Sequence, residues 1–354
     1  MTDWLARAQM EGTPLIDGDT VTFVWAGATA PSLRSDVTGW FPARPPWSMQ
    51  AAGPGVWIYQ ATLPSDTYLE YAYLEGERRV PDPFNPRLTP TGLEDHANNY
   101  FALADAPRPL WEAVPGIRTG LLLETTLTAR ALPLERRVAH LYRPPAPGPY
   151  PLLVVYDGND YLSRAHLPII LDNLLAQGRI RPLAVLFLNN YPPARVAEYA
   201  CSEATLMTVV NDALPWAQAQ APLLDTPGAH GVMGASMGGL MALFTGLRRP
   251  GLFGHVLAQS GAYGWRDESV VFDLARWGDP TRLRIYQSVG RYEGLLDSNR
   301  RLRAVLVEHG YDAAYHELSA GHNYPAWAAN LTEGLAWLFP PHEGRDGQVS
   351  SLSP

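Results

Sequence analysis

The chain has 354 residues, of which 46% are hydrophobic and 18% are charged, a composition typical of a globular protein with a substantial core. Its formal net charge of −8 argues against a nucleic acid or an anionic membrane as partner, because both select for basic surfaces. All 27 basic residues other than histidine are arginine, so chemistry that needs a lysine, such as Schiff-base formation or a P-loop, is excluded.

The targeting features of the chain predict a cytoplasmic location. Cys201 is the only cysteine, so an internal disulfide is impossible, and a single thiol fits a reducing compartment. The first residues lack a basic segment followed by an apolar core, which is the pattern of a signal peptide. No run of about 18 apolar residues occurs, so we expect no membrane-spanning helix.

Residues 1–105 predict a small all-β domain of the immunoglobulin-like sandwich type. Runs rich in β-forming residues occur at 20–25, 56–63 and 69–74, and clusters of proline and glycine separate them at short intervals. Helical periodicity of useful length is missing, so we expect no helix there. Residues 106–116 follow as a linker, in which proline bars continuous strand pairing.

Residues 117–340 predict a second domain of the α/β class. A hairpin at 121–127 and 137–142 opens it, and from residue 151 strands alternate with amphipathic stretches such as 203–224 and 295–309. Near-continuous apolar runs, typical of parallel strands buried on both faces, occur at 152–156, 183–188, 231–233, 255–259, 283–288 and 314–318. We therefore expect a doubly wound, mostly parallel sheet of the α/β-hydrolase type. Residues 341–354, rich in Gly, Ser and charge, are predicted to be a disordered tail.

The sequence G-A-S-M-G at residues 234–238 is a G-x-S-x-G pentapeptide in the position of a nucleophile elbow. A short buried strand is predicted before it and a helix after it. A strand that turns sharply into a helix needs a small residue two places before and two places after the serine, because a Cβ there meets the neighbouring strand or helix. The turn also lifts the serine hydroxyl above the sheet, so Ser236 is the predicted nucleophile.

A serine nucleophile needs a histidine base and an acid behind it, and in α/β-hydrolases the chain order is nucleophile, acid, base. His322 fits the base, because it lies on a loop between the last predicted strand and the last helix. Glu293 lies just past the carboxyl end of the strand at 283–288 and is the preferred acid. Asp297 competes with it, but it falls in the first turn of a predicted helix, where an aspartate is usually a partner of the helix dipole.

An oxyanion hole needs two backbone N–H groups. Met237 follows the nucleophile at a helix N-terminus and is the first predicted donor. The loop D-G-N-D-Y at 157–161 follows an early strand and is placed for the second. Gly158 lets the backbone approach a substrate closely, so Asn159 is the predicted donor there. An ordinary turn is the alternative, because Asp-Gly-Asn is strong turn chemistry.

With these residues placed, the chain resembles the enterochelin (enterobactin) esterase family over nearly its full length. The resemblance lies in Y-D-G-N-D-Y at 156–161, R-V-A-E-Y at 195–199, G-A-S-M-G-G at 234–239, G-R-Y-E at 290–293 and G-H-N-Y at 321–324. It implies a β-sandwich followed by an esterase-D-like α/β-hydrolase domain. It also implies a triad of Ser236, Glu293 and His322, the same residues that chain order and strand ends favour.

The resemblance implies a small-molecule ester substrate, which in that family is a ferric siderophore. A ferric catecholate siderophore is an anion, and a chain without lysine would bind it through arginines, of which Arg195 is a candidate. The alternative is that Arg195 and Glu198 form an internal ion pair that fixes their loop. Four aromatic residues near the predicted loops could stack on a planar acid, with core packing as the alternative: Trp265, Tyr292, Tyr324 and Trp327. Trp265 and Tyr292 are the preferred candidates. No H-E-x-x-H motif occurs, so we expect no metal site, and no other cofactor.

Two other functions remain open from the sequence. A carbohydrate esterase that removes feruloyl or acetyl groups would use the sandwich to bind glycan, and the lack of an export signal disfavours it. A binding protein on an inactive hydrolase fold would be expected to have lost a triad residue, and all three are present. The sequence predicts neither the oligomeric state nor the exact ester.

Overall fold

The structure is a computed structural model that describes residues 3–40, 45–91, 97–266 and 270–341. From residue 342 onward, the tail predicted to be disordered lies outside the described residues. The described chain begins with a helix, α1, Trp4–Glu11, so the expectation of no helix in this part was wrong. Asp3 caps this helix by accepting a hydrogen bond from Ala6 N at 3.0 Å, and Ala8 alone of its residues is buried. With eight residues this helix has only about two turns, so its period does not stand out in the sequence.

The N-terminal part is a sandwich of two antiparallel sheets. One sheet has the strand order β1-β2-β6-β5, and the other has the order β4-β3-β7-β10-β9 with β8 paired to β7. Phe23 of the first sheet packs against Tyr71 and Phe101 of the second, so the two sheets share one aromatic core, as predicted. The strands are β1 Leu15–Asp17, β2 Thr20–Ala26, β3 Ser32–Ser35, β4 Trp47–Ser48, β5 Gln50–Gly53, β6 Val56–Thr62, β7 Tyr68–Glu75, β8 Arg78–Val80, β9 Leu88–Pro90 and β10 Ala97–Ala102.

The C-terminal part contains one eight-stranded sheet of order β11-β12-β14-β13-β15-β16-β17-β18. The hairpin β11–β12 and the pair β12–β14 are antiparallel, and all other neighbours are parallel. The strands are β11 Leu121–Thr128, β12 Arg136–Arg143, β13 Leu152–Tyr156, β14 Ala184–Leu188, β15 His230–Ala235, β16 Phe253–Gln259, β17 Arg284–Gly290 and β18 Asp312–Leu318. The predicted mostly parallel sheet is therefore confirmed. Described residues 103–120, which include the predicted linker, contain neither helix nor strand.

Helices cover both faces of this sheet. Leu240, Phe272 and Leu302 pack on one face, whereas Ile170 and Leu331 pack on the other, so the domain is doubly wound. The helices are α2 Gly158–Ser163, α3 Leu167–Ala176, α4 Arg195–Tyr199, α5 Glu203–Thr208, α6 Leu214–Gln220, α7 Met237–Arg248, α8 Val271–Trp277, α9 Leu296–Glu308 and α10 Tyr324–Leu338, with a π-helical turn Val209–Ala213 between α5 and α6 and a 3₁₀ turn Pro280–Arg282. None of the helices in the described ranges combines the length and the apolar character that a membrane span requires.

Six parallel strands, β13 to β18, bring their carboxyl ends to the same edge of the sheet. The loops that leave β13, β15, β16, β17 and β18 at this edge carry, in that order, Asn159, Ser236, Ser260, Glu293 and His322. The sandwich lies against the same edge, since Tyr68 N of β7 donates a hydrogen bond to Ser319 O, which follows β18, at 3.1 Å. The carboxyl edge of a parallel sheet, where strand ends meet helix N-termini, is the ordinary place for a site in such a fold.

Candidate active site

Ser236 occupies the turn between β15 and α7 in a conformation that few non-glycine residues adopt. Its φ is 58° and its ψ is −123°, and a serine is held there only when the surroundings over-determine it. Two backbone hydrogen bonds do so: Ser236 N donates to Gln259 O at 2.9 Å, and Ala262 N donates to Ser236 O at 3.0 Å. The residue is half-buried, so its side chain lies at the surface of the sheet edge.

The glycines around Ser236 leave no room for side chains. A Cβ added to Gly234 would lie 2.5 Å from the carbonyl of Gly238, and one added to Gly239 would lie 3.0 Å from Gln259 O. A Cβ on Gly238 would lie 3.0 Å from Asp157 Oδ2 and 3.4 Å from Tyr156 Cβ. The turn therefore has the tight packing of a nucleophile elbow, and it lies directly against the end of β13.

Glu293 and His322 form the centre of the site. Glu293 Oε2 contacts His322 Nδ1, while Glu293 Oε1 accepts hydrogen bonds from Gly290 N and from Ser260 Oγ, both at 2.6 Å. A carboxylate beside Nδ1 keeps the proton on that nitrogen and leaves Nε2 free to accept one. Glu293 is 7% exposed, and the side chain of His322 is 36% exposed. The competing acid Asp297 lies exposed in the first turn of α9.

Two residues that the sequence analysis did not select hold this pair from behind. Ser260 has a φ of 47°, and its hydroxyl donates to Glu293 while it accepts from Trp327 Nε1 at 2.9 Å. The Trp327 ring also meets the His322 ring edge to face, with centroids 4.8 Å apart. Ser260 follows the strand predicted at 255–259 and could have been found from that position. Nothing in the local sequence distinguishes Trp327 from an ordinary core tryptophan.

The predicted oxyanion donors lie at two helix N-termini. Met237 is the first residue of α7, and Asn159 is the second residue of α2, where backbone N–H groups have no partner within the helix. Position 158 admits only glycine, because a Cβ there would lie 2.7 Å from Leu188 N. The Asn159 carboxamide donates to Asp160 Oδ2 at 3.2 Å, so its side chain is engaged locally. The contact of Gly238 with Asp157 brings the two loops together.

Arg195 binds the loop that carries Asn159. Its Nε donates to Asp157 Oδ1 at 2.7 Å and its Nη2 donates to Oδ2 at 2.6 Å, and Asn190 Nδ2 adds a bond to Oδ1 at 2.6 Å. Burial lowers the pKa of Arg195, but the hydrogen bonds and the charge of Asp157 outweigh it and raise that pKa above its usual value. Glu198 pairs with Arg137 instead of Arg195. The alternative of an internal ion pair thus fits Arg195, with a different partner from the expected one.

The two preferred aromatic candidates lie in different surroundings. Trp265 is 40% exposed on the turn that follows β16. Tyr292 is half-buried, packs against the core of the sandwich, and its hydroxyl shares a hydrogen bond of 3.2 Å with Thr67 Oγ1. Tyr292 therefore joins the two parts of the chain, and its ring is less available to a ligand than that of Trp265.

A cavity of about 820 Å³ lies beside the site, lined by Tyr68 and Tyr100 of the sandwich and by Arg164 and Tyr324 of the hydrolase part. It is not lined by Ser236 or His322. Tyr324 follows His322 by two residues, so the cavity reaches the flank of the site. Within the described ranges, no group of three or more His, Cys, Asp or Glu side chains is arranged to hold a metal ion.

The chain matches a family of known proteins and is similar to several known esterases. Residues 131–338, more than half of the chain, match the family described as "Putative esterase". The iron(III) enterobactin esterase of Dickeya dadantii is 31% identical over 223 residues, which are 58% of this chain and 51% of that protein. The iron(III) enterobactin esterase of Escherichia coli K12 is 27% identical over 331 residues, which are 84% of this chain and 82% of that one. The crystal structure of the Shigella flexneri enterobactin esterase in the presence of enterobactin is similar in fold, with a TM-score of 0.75 at 24% identity over 92% of this chain and 94% of that chain.

Proposed function

The chain belongs to the putative esterase family and is a carboxylic ester hydrolase, and on that premise we propose that it cleaves siderophore-type esters with a Ser236–His322–Glu293 triad. The observation that carries the triad is the contact of buried Glu293 with His322 Nδ1, at the same sheet edge as the strained Ser236. The proposal that Ser236 reaches His322 Nε2 rests on the chain of contacts from Ser236 through the Gln259–Ala262 turn to Ser260 and Glu293.

Each residue then has one step in the reaction. Ser236 Oγ attacks the ester carbonyl while His322 Nε2 takes the hydroxyl proton, and Glu293 stabilises the imidazolium that results. The N–H groups of Met237 and Asn159 stabilise the oxyanion of the tetrahedral intermediate. His322 passes its proton to the leaving alkoxide, and water, activated by the same imidazole, hydrolyses the acyl-enzyme.

The substrate class is supported by the relatives. The proteins from Dickeya dadantii and Escherichia coli are both named as esterases of iron(III) enterobactin, and the second alignment spans sandwich and hydrolase parts alike. The iron would enter as part of the substrate. We propose Trp265 and the exposed edge of Arg195 as ligand contacts, because both lie beside the loops that carry the triad and the oxyanion donors. The cytoplasmic location expected from the sequence stays a prediction.

Loss of the nucleophile tests this proposal. Ser236→Ala is expected to lower kcat by roughly four to six orders of magnitude, since removal of a triad serine leaves only the oxyanion hole and binding. The measurement is hydrolysis of ferric enterobactin, with covalent labelling by a fluorophosphonate probe. Ser48→Ala, which removes an exposed hydroxyl of the sandwich, is the control and should label like the wild type.

The same assay separates the substrate classes. Feruloylated oligosaccharides and simple aryl esters, tested beside ferric enterobactin, should be cleaved with a lower kcat/KM. A higher kcat/KM for the feruloyl ester would contradict the proposed siderophore substrate. Full activity of Ser236→Ala would contradict the proposed triad.

A further inference from the structure

The sandwich contacts the two loops that carry Glu293 and His322. Thr67 shares a hydrogen bond with Tyr292, the residue before Glu293. Tyr68 N donates to Ser319 O at 3.1 Å, three residues before His322. These contacts fall on the segments whose geometry sets the distance between acid and base, so the sandwich borders the two loops that carry these side chains.

Asp36 makes the contacts that lie nearest to His322 along the chain. It lies directly after β3, is 3% exposed, and its Oδ2 accepts a hydrogen bond from Asn323 Nδ2 at 3.4 Å. On the other side of His322, a Cβ added to Gly321 would lie 2.2 Å from Asp36 Cγ and 2.3 Å from Oδ1. The carboxylate of Asp36 therefore packs against the residues that come immediately before and immediately after His322.

The side chain of Asp36 is itself held in place from within the sandwich. Trp40 Nε1 donates to Oδ1 and Glu70 N donates to Oδ2, both at 2.9 Å. Glu70 in turn accepts from Asn98 Nδ2 at 2.8 Å, and these side chains are buried. A buried carboxylate with several donors has one orientation, so it can transmit the position of the sandwich to the His322 loop.

We propose that Asp36 is a positioning residue for His322, and that the N-terminal sandwich is thereby part of the catalytic apparatus. The inference rests on the proposed function, because it assigns Asp36 a role through His322. Asp36 contacts no reacting atom. It acts by confining the backbone from Gly321 to Asn323, and Asn323 Oδ1 fixes the other end of this segment by capping α10 at Ala326 N, 3.0 Å away.

The test compares Asp36→Asn with Asp82→Asn in the full chain. Asp82 is a second buried carboxylate of the sandwich, bonded to Tyr71 and Thr13 and not to the His322 loop, so it controls for loss of stability. Asp36→Asn is expected to lower kcat about 10- to 100-fold with little change in KM, and to slow fluorophosphonate labelling of Ser236 by the same factor, since a small misplacement of a catalytic group costs this much. Asp82→Asn should leave both rates within about threefold of the wild type.

Exchanging the side chains of Asp36 and Asn323 distinguishes a role in positioning His322 from a general loss of stability. Asn323→Asp keeps an N-cap but places two carboxylates together, so it should also lower kcat. In the double variant Asp36→Asn/Asn323→Asp the amide nitrogen introduced at position 36 can donate to the carboxylate introduced at position 323, and the amide oxygen at position 36 keeps its bond from Trp40, while the bond from Glu70 N is lost. The value of kcat should therefore recover in part, by at least threefold over Asp36→Asn. Gly321→Ala, which directs a methyl group into Asp36, provides a second variant if Asp36→Asn does not fold.

The outcomes distinguish this inference from the proposed function. Unchanged kcat and labelling in Asp36→Asn, or equal losses in Asp36→Asn and Asp82→Asn, would overturn the positioning role while leaving the triad intact. A wild-type protein that takes no probe would overturn the proposed function instead, irrespective of Asp36.

Discussion

At the residue scale, the environment of Glu293 explains its suitability as an acid. Both oxygens face donors: Oε1 accepts from Gly290 N and Ser260 Oγ, and Oε2 faces His322 Nδ1. These three donors need a side chain whose two terminal atoms both accept hydrogen bonds, and an ionised carboxylate is such a group. Asp297 is exposed at the start of α9, where it has the ordinary role of a charge near a helix N-terminus.

We therefore expect Glu293→Gln to lower kcat by about three to four orders of magnitude. A glutamine amide nitrogen can donate a hydrogen bond to His322 Nδ1, which favours the tautomer with its proton on Nε2 and so removes the base. Asp297→Asn is the matched control and should stay within about threefold of the wild type. The measurement is kcat for the best ester substrate, with circular dichroism to confirm folding. A larger loss in Asp297→Asn than in Glu293→Gln would reassign the acid to Asp297.

At the scale of secondary structure, the elbow depends on the close approach of β15, α7 and the end of β13. Gly234 lies under Gly238, and Gly238 lies against Asp157, so three elements meet without intervening side chains. Arg195 of α4 completes the arrangement through its two hydrogen bonds to Asp157. Ser236, the proposed nucleophile, and the proposed oxyanion donors are thereby tied to one rigid unit.

Gly234→Ala should disrupt this unit, because its methyl group would lie 2.5 Å from the backbone of Gly238. Overpacking of this kind is expected to lower the free energy of unfolding by about 1–3 kcal/mol and to slow labelling of Ser236 at least tenfold. Gly251→Ala serves as the control, since a Cβ there meets no atom within 4 Å. Urea unfolding and probe labelling measure the two effects. Similar behaviour of both variants would show that the turn has more room than the structure indicates.

At the scale of the whole molecule, buried carboxylates lie where the sandwich meets the hydrolase sheet. Burial raises the pKa of Asp36, and the charge of Glu293 adds to this effect. Burial, followed by the charge of Asp36, raises the pKa of Glu70 to about 8. The folded protein therefore holds a proton on Glu70 over a range of pH in which the unfolded chain has lost it.

This difference gives the stability of the protein a pH dependence of definite sign. An acid whose folded pKa is raised contributes most at a pH below its unfolded pKa, and that contribution is lost as the pH rises through the folded pKa. Between pH 4.5 and about 8, the unfolded chain loses the Glu70 proton while the folded protein keeps it. The free energy of unfolding of the wild type should therefore fall by at most about 1.4 kcal/mol per pH unit.

Glu70→Gln removes this titration. Its free energy of unfolding relative to the wild type should therefore increase as the pH rises from 5 to 8, as measured by urea unfolding at several pH values. Glu77→Gln, at an exposed position in the turn between β7 and β8, controls for the loss of a negative charge. A difference between Glu70→Gln and wild type that is constant over this range would show that Glu70 is not held protonated.

Much of the architecture could be predicted because its signals are local. The strand predicted at 152–156 has the same bounds in the structure, and the hairpin, the parallel strands and α9 were each found within a few residues. Apolar runs and Gly or Pro punctuation report burial and turns within a few residues of themselves. Helix α1 was missed, because its eight residues form only about two turns, which is too short a stretch for a helical period to be read from the sequence.

The sequence by itself determined the α/β class with an all-β part before it, and it predicted Ser236, Glu293 and His322 as a triad, because chain order and strand ends specify which loops share an edge. Only the tertiary structure decided what surrounds them: Trp327 and Ser260 behind the acid, Asp157 as the partner of Arg195, and Asp36 beside the base. Asp36 and Asn323 are 287 residues apart in the chain. Such contacts arise from the packing of one domain on another, which leaves no periodic pattern in either segment.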